Sequence, residues 1–254
     1  MTNALIGHTG FVGGNLLAQT HFDFVYNSSN ISEIDGRSFQ TVVCAGVRAV
    51  KWWANKNPQE DWQGIANLIH HLSRVQTDKF VLISTVDVYN VAENVTEDDL
   101  PCEQFLHAYG LNRLKLESFV QTHFSNHQII RLPALFGPGL KKNVIYDLMN
   151  NNMIEAINPA SAFQWYPVRR LTDDLARASA SDAKLINFAT PPVSVAKIHE
   201  RFFSALKMGA HPNPPAVPDI HTKHAALFSS NGDYIMQEAE IFDELAHFLQ
   251  GNRL

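Results

Sequence analysis

Residues 4–16, with the sequence ALIGHTGFVGGNL, decide the fold that we expect of this chain. The apolar run Ala4–Ile6 predicts a buried strand, and the apolar residues 16–18 predict the inner face of a helix. Between these two elements glycine recurs at every third position, at Gly7, Gly10 and Gly13. A strand, a glycine-rich turn and a helix in this order are typical of a unit that binds a dinucleotide, because glycine lets the backbone turn tightly and approach a pyrophosphate. The spacing is not the more common G-x-G-x-x-G, so a simple glycine-rich turn is the alternative interpretation.

The composition excludes several classes of protein. A chain of 254 residues can bury one large core, or one core and a small lobe. Its formal charge of -5 and the lack of a long basic run argue against nucleic acid as a partner. No apolar run approaches the roughly 18 residues of a membrane helix, and the early first strand leaves no room for a signal peptide. Two cysteines, Cys44 and Cys102, form no disulfide framework. We expect a cytoplasmic protein.

Strands and helices alternate up to Pro133. After the first strand, the apolar patterns predict strands over residues 22–26, 41–45, 79–84 and 128–132, and helices over residues 61–75 and 109–123. This alternation predicts an α/β fold with a doubly wound parallel sheet. The link from Tyr26 to Thr41 is too short for a full crossover helix, so we expect a trimmed one. Residues 1–254 are expected to form one domain, with a small, loop-rich lobe formed mainly from about 134–165 and 190–235.

The residues after the second predicted strand indicate which cofactor is preferred. An NAD site usually has an acidic residue here, which binds the ribose 2′-hydroxyl. This chain has only hydroxyls and amides, at Asn27, Ser28, Ser29 and Asn30. No carboxylate would repel a 2′-phosphate, and Arg37 is the nearest cation, so the sequence favours NADP over NAD. The alternative is that these residues are simply a polar turn.

A candidate catalytic group follows the strand over residues 79–84. Thr85 lies at its carboxyl end, where open α/β sheets bind their ligands. Tyr109 and Arg113 lie four residues apart at the start of a predicted helix and therefore share one face. A fixed cation favours the phenolate, so we expect the pKa of Tyr109 to fall below about 10, which suits an acid or base near neutral pH.

At these residues the chain resembles a known superfamily. Four segments match in order: GHTGFVGG from Gly7, ISTVDVY from Ile83, YGLNR from Tyr109 and RLPALFGPG from Arg131. A fifth, YPVRRLTDDLARA from Tyr166, resembles a late segment that precedes a helix. The chain is similar to the extended short-chain dehydrogenases/reductases, and within them to the NAD-dependent epimerase/dehydratase family of nucleotide-sugar epimerases, dehydratases and reductases.

This resemblance implies a Rossmann-type fold, a nicotinamide cofactor and a nucleotide-sugar substrate. It implies that Tyr109 is the general acid/base and that Thr85 shares the reacting oxygen of the substrate. The implied cofactor-binding residues are Gly7, Thr9, Gly10, Phe11, Val12, Gly13, Asn27, Ser28, Ser29, Ala45, Gly46, Tyr109, Arg113, Leu132 and Pro133.

Arg113 departs from the Tyr-x-x-x-Lys pattern of the family. Arginine keeps the positive charge and can grip ribose hydroxyls, but it cannot give up a proton. Cofactor binding is therefore expected, whereas turnover is open. The first alternative to a nucleotide-sugar enzyme is an NADP-binding sensor or scaffold, and the second is a reductase of a non-sugar carbonyl.

The candidate substrate-binding residues lie around this predicted site. By their position in the family pattern they are Arg48, Trp52, Asp87, Asn143, Gln164 and Arg169. Aromatic and cationic side chains suit a sugar and a pyrophosphate, but a packed loop with a basic edge is an equal alternative for residues 48–53. The histidine pairs lack the further ligands that a metal site needs, so we predict none. A homodimer is possible.

Overall fold

Strands and helices alternate along the chain, as its sequence predicts. The computed structural model describes residues 2–209 and 214–251. Its strands are β1 (Asn3–Ile6), β2 (Phe24–Tyr26), β3 (Ser38–Cys44), β4 (Gln76–Thr85), β5 (Glu93–Val95), β6 (His127–Leu132), β7 (Ala134–Phe136), β8 (Ala162–Pro167), β9 (Leu185–Asn187), β10 (Pro192–Ser194) and β11 (Asp219–Ile220). Its helices are α1 (Phe11–Gln19), α2 (Lys51–Lys56), α3 (Pro58–Leu72), α4 (Ala108–His123), α5 (Val144–Asn150), α6 (Leu171–Ser179), α7 (Val195–Phe202) and α8 (Glu238–Gly251).

A parallel sheet of six strands lies at the centre, in the order β2-β1-β3-β4-β6-β9. The chain passes from β1 to β2 on one side and then returns to β3 on the other side of β1. In open α/β sheets such a reversal opens a crevice at the carboxyl ends of the strands, where ligands bind. The predicted doubly wound, Rossmann-type fold is confirmed.

Two cores hold the helices against the two faces of this sheet. Successive strand residues point to opposite faces, so Ile6 and Leu82 pack with α3 and α4, whereas Leu5 and Val81 pack with α1 and α6. Burying one such side chain contributes about 1.5–3 kcal/mol. The two cores together fix where the strand ends stand relative to α1, α3 and α4.

The crossover between β2 and β3 is trimmed, as predicted. A single 3-10 turn, Ile31–Ile34, replaces a full helix. Both isoleucines are buried in the core beneath α3. The turn therefore closes one face of the sheet with few residues.

The chain after β6 contains more regular structure than its prolines suggest. Strands β10, β8 and β7 form a sheet of three strands, and β11 pairs with β5. Helices α5, α7 and α8 pack around Trp165 in a third core, which also holds Phe202, Phe203, Phe242 and Phe248. Within residues 2–209 and 214–251, no helix combines the length and the apolar character needed to cross a membrane.

Candidate active site

The glycine turn between β1 and α1 is built by close backbone contacts. Gly7 has φ +90, and a Cβ there would lie 2.4 Å from the carbonyl oxygen of Ala45. A Cβ on Gly13 would lie 2.2 Å from the carbonyl oxygen of Gly7. Neither contact is possible for another residue without a backbone shift. These two glycines therefore allow β1, β3 and α1 to approach each other.

Gly10 differs from its two neighbours in the motif. It precedes α1 with φ -79 and ψ 171, which any residue can adopt. A Cβ there would lie 3.3 Å from the carbonyl oxygen of Gly7, a tight but adjustable contact. No side chain of the described residues caps the start of α1, so its first N–H groups are free to bind an anion.

A cavity of about 470 Å³ opens beside this turn at the switch point of the sheet. Eight of the predicted binding residues line it: Gly7, Thr9, Gly10, Asn27, Ser28, Ala45, Gly46 and Arg48. Helix α3 supplies the opposite wall, including Glu60, Asp61 and Gly64. The structure thus brings the ends of β1, β2 and β3 to one cavity, as the sequence predicts.

A second cavity, of about 460 Å³, is lined by residues 228–231 together with Arg170, Arg177, Gln237 and Glu240. Its two cations already have acidic partners, since Arg170 contacts Glu240 at 2.9 Å and Arg177 contacts Asp174 at 3.7 Å. The glycine turn does not line it. We therefore place the candidate site in the cavity at the switch point.

The polar turn after β2 is held by its own side chains. The Asn27 side-chain oxygen accepts hydrogen bonds from the N–H and hydroxyl of Ser29, at 2.8 and 2.6 Å. The Asn30 side-chain oxygen accepts one from the N–H of Asn27 at 2.8 Å. Arg37 stacks on Phe24 at 5.1 Å and does not line the cavity. Ser28 and Asn27 therefore form the polar rim here, without a carboxylate.

Tyr109 lies in the first turn of α4, directly beside Thr85. The two elements touch because Gly110 carries no side chain: a Cβ there would lie 2.2 Å from the carbonyl oxygen of Asp87. His107 caps the helix, its Nδ1 accepting a hydrogen bond from the N–H of Gly110 at 3.0 Å. The Thr85 side chain lies close enough to the phenol of Tyr109 to lower its pKa. The predicted pair is thus brought together.

The expected direction of the Tyr109 pKa is wrong. Burial of the phenol raises its pKa above 10, and this effect outweighs the lowering by the Arg113 cation and by the Thr85 side chain. Tyr109 is only 7% exposed. Sequence spacing places the cation correctly, but it gives no measure of the desolvation that opposes ionisation.

Arg113 is held entirely by protein groups. Its Nη1 lies 2.5 Å from Asp61 Oδ2 and its Nη2 lies 3.0 Å from Asp61 Oδ1. Nη1 also donates to the carbonyl of Tyr109 at 3.1 Å, and Nη2 donates to the carbonyl of Arg48 at 2.6 Å. The guanidinium carbon lies 3.8 Å from the centre of the Tyr109 ring. Contact of Arg113 with a ribose stays a prediction.

The other predicted cofactor-binding residues do not line the cavity. Leu132 pairs in register with Thr85, so Leu132 and Pro133 lie at the same edge of the sheet. Phe11 and Val12 open α1 just after Gly10, and Val12 packs into the core beneath it. Their contact with a cofactor stays a prediction.

The loop and helix after β3 bring two predicted substrate-binding residues near this edge. Arg48 lines the cavity, with its guanidinium carbon 4.3 Å from the centre of the Trp53 ring. Trp52 is 68% exposed and does not line the cavity. Asp87 forms an ion pair with Lys51 at 2.6 Å. Trp53, which follows Trp52 in the same predicted loop, is therefore the tryptophan at the cavity.

Three predicted substrate-binding residues are used in other ways by the structure. Gln164 is buried, donates to the carbonyls of Thr190 and Ile220, and accepts from the N–H of Ile220. Arg169 forms a two-point ion pair with Glu244 of α8. The polar groups of Gln164 are thus used within the protein and neither residue lines the cavity, so their contact with a substrate stays a prediction.

Asn143 has a local role as well. It precedes α5 with φ 118, and its side-chain oxygen accepts a hydrogen bond from the N–H of Tyr146 at 3.1 Å. Its amide nitrogen donates to the carbonyl of Leu135 at 2.9 Å. Asn143 therefore caps a helix here, and its contact with a substrate stays a prediction.

Two buried ion pairs around the site were missed by the sequence-based predictions. Asp61 pairs with Arg113, as described above. Glu117 pairs with Arg131 at 2.6 Å and also accepts a hydrogen bond from Ser84, which links α4 to β4 and β6. Both acidic residues lie in helical sequences that match no motif. Their partners lie on other elements, so no sequence spacing indicates either contact.

Comparison with known proteins identifies the family of this chain. A model of the NAD dependent epimerase/dehydratase family matches residues 21–162, more than half of the chain. The chain belongs to this family. The matched residues include the end of β2, the loop after β3, Thr85, Tyr109 and Arg113. No match was found among the curated proteins.

Solved structures share the fold of this NAD dependent epimerase/dehydratase chain. A dTDP-4-dehydrorhamnose reductase of Clostridium acetobutylicum aligns with a TM-score of 0.75 at 16% identity, over 100% of both chains. A UDP-N-acetylglucosamine 4-epimerase of Methanobrevibacter ruminantium M1, in complex with UDP-N-acetylmuramic acid, aligns with a TM-score of 0.74 at 15% identity, over 98% of this chain and 97% of its own. MoeE5, in complex with UDP-glucose and NAD, aligns with a TM-score of 0.71 at 17% identity, over 100% of this chain and 99% of its own.

Proposed function

We propose that this chain is an NAD(P)-dependent enzyme that acts on a nucleotide-linked sugar by hydride transfer. The observation that carries the proposal is that the glycine turn, the cavity and Tyr109 are connected through neighbouring residues. The cavity extends from the glycine turn to Asp61, whose partner Arg113 packs on Tyr109. Family membership and the nucleotide sugars bound by two structural neighbours support this substrate class.

The residues at the cavity fit a dinucleotide. Gly7 and Gly13 let the backbone close up, and the space at Gly10 stays open beside the free N–H groups of α1. These groups would hold the pyrophosphate, with Asn27 and Ser28 at the adenosine end. Ala45 and Gly46 would lie along the cofactor, and Leu132 and Pro133 would lie near the nicotinamide, which supplies a hydride acceptor or donor at C4.

The chain itself supplies the proton chemistry. The phenol of Tyr109 would take a proton from a sugar hydroxyl or return one to a carbonyl, while Thr85 holds the same oxygen. Arg48, which lines the cavity, would bind a phosphate group of the substrate. The lobe formed mainly from about 134–165 and 190–235 would cover the sugar.

We propose NADP as the preferred cofactor, with NAD as the alternative. Residues 27–30 offer hydroxyls and amides instead of the carboxylate that repels a 2′-phosphate. Glu60 lies on the opposite wall of the cavity, and Arg48 can offset its charge. The family description names NAD, so affinity for both cofactors has to be compared directly.

The test is to follow absorbance at 340 nm with NADPH, NADH, NAD⁺ or NADP⁺ and a panel of nucleotide sugars. Because an epimerase regenerates its cofactor, sugar products are also separated by mass and by chromatography. Conversion of one sugar by the wild-type chain, lost in Tyr109→Phe, is expected. A chain that binds neither cofactor contradicts the proposal.

One observation favours a second candidate, an NADP-binding sensor or scaffold. Arg113 replaces the family lysine and is neutralised by Asp61, so the usual proton relay is missing. A sensor would bind the cofactor with normal affinity and convert none of the sugars.

A further inference from the structure

The Asp61–Arg113 pair is buried where the catalytic tyrosine would need a cation. Asp61 is 5% exposed and Arg113 is 4% exposed. Asp61 belongs to the first turn of α3 and Arg113 to α4, so the pair joins the two helices. Asn112 adds a hydrogen bond to Asp61 Oδ2 at 2.9 Å. The carboxylate is therefore fixed by three donors from α4 and lines the cavity with its remaining surface.

This pairing decides which way the guanidinium faces. Both of its terminal nitrogens are used by Asp61 and by two backbone carbonyls. Its guanidinium carbon lies over the ring of Tyr109, 3.8 Å from the ring centre. The positive charge is thus met by a full negative charge within hydrogen-bond distance, whereas an unpaired cation would act on the phenol alone.

We infer that Asp61 is a positioning residue, which holds Arg113 over the Tyr109 ring and opposes its charge at the reacting phenol. This inference rests on the proposed function only for calling that phenol the reacting group. In this inference, Arg113 packs on the Tyr109 ring and holds the loop that contains Arg48. A lysine at this position would instead be a free cation.

Every charged or titratable group near the phenol bears on this inference. Arg113 favours the phenolate, whereas Asp61 of α3 and Asp87 disfavour it. Asp87 is itself paired with Lys51 of α2, and His107 lies beside Tyr109 with ring centres 6.2 Å apart. With each acid next to a cation, burial decides, and it raises the pKa of Tyr109. Removing the Asp61 charge leaves the Arg113 cation without the acid that pairs with it.

The test is an NMR titration of the cofactor-free chain, labelled with ¹³C at the tyrosine ζ-carbon. Tyr109→Phe identifies the Tyr109 signal among the six tyrosines. In Asp61→Asn, which keeps the shape of the side chain, the unpaired Arg113 should lower the pKa of Tyr109 by about 1 unit or more. A Tyr109 pKa unchanged by Asp61→Asn overturns the inference.

A double variant covers the case in which Asp61→Asn does not fold, since it leaves a buried charge unpaired. Asp61→Asn/Arg113→Met removes both charges and should leave the pKa of Tyr109 at the wild-type value or above it, because Arg113 lowers this pKa more than Asp61 raises it. A fall below the wild-type value in the double variant would mean that Arg113 does not act on the phenol, and it refutes the inference. These titrations contain neither cofactor nor sugar, so their result is independent of whether the absorbance assay succeeds.

Discussion

The substitution Gly10→Val separates cofactor binding from folding at the glycine turn. Gly10 has φ -79, and a Cβ there meets the carbonyl oxygen of Gly7 at 3.3 Å, so the turn has to give by a few tenths of an ångström. We expect a loss in the free energy of unfolding of about 1 kcal/mol. The isopropyl group, however, fills the space through which a pyrophosphate reaches the N–H groups of α1.

The loss of binding follows from those N–H groups. A hydrogen bond to a charged group contributes about 1.5–3 kcal/mol, so losing two of them costs about 3 kcal/mol at least. That corresponds to roughly 100-fold weaker binding of the cofactor. Fluorescence titration with NADPH and NADH measures the affinity, and urea denaturation measures the stability.

Gly14→Ala is the matched control in the same helix. A Cβ on Gly14 meets the carbonyl oxygen of His8 at 3.5 Å, which is ordinary contact, and Gly14 does not line the cavity. Alanine should stabilise α1 by about 0.5–1 kcal/mol and leave cofactor affinity unchanged. Normal cofactor binding by Gly10→Val would refute the placement of the pyrophosphate at this turn.

Four further predictions concern the cofactor, the core and the thiols. Titration of the wild type should give a lower Kd for NADPH than for NADH. The reverse order would mean that residues 27–30 are simply a polar turn. Gly13→Ala puts a Cβ 2.2 Å from the Gly7 carbonyl oxygen and should lower the urea midpoint by an amount equivalent to about 1–3 kcal/mol, whereas an unchanged midpoint would contradict this contact. Glu117→Gln leaves Arg131 buried without its partner and should cost about 3–5 kcal/mol in the same assay, so a loss below that range would mean the pair matters little. A thiol reagent at pH 8 should modify exposed Cys102 but not buried Cys44. Burial raises the pKa of the Cys44 thiol to about 11, so its thiolate forms only near pH 11. Modification of both thiols in the native chain would contradict this prediction.

Much of the fold could be predicted because its signals are local. The apolar run of β1, the glycine spacing and the helical pattern of α3 each lie within a few residues, and alternation then predicts the parallel sheet. The third core could not be predicted, since β8 and β10 are short and the prolines between them are typical of loops. Pro192, for example, begins a strand.

The candidate site was predictable only as far as its backbone. Tyr109 and Thr85 follow from strand and helix ends, but the partner of Arg113 lies on another helix. The structural role of Gln164 could not be predicted for a similar reason. A polar residue in a late segment can bind a ligand or satisfy buried carbonyls, and only the packing of β11 beside it decides.

Transfer of a labelled hydrogen tests the role of Tyr109 and of the cavity most directly. The wild type and Tyr109→Phe are incubated with a nicotinamide cofactor deuterated at C4 and, in turn, with each ketone or alcohol form of a nucleotide sugar. Mass spectrometry then detects deuterium in the sugar or its return to the cofactor. We expect transfer with the wild type and a rate about 10²–10⁴-fold lower with Tyr109→Phe, at unchanged cofactor affinity. Transfer at the same rate in both chains, or no transfer by a wild type that binds the cofactor tightly, would contradict an enzyme with Tyr109 as its acid/base.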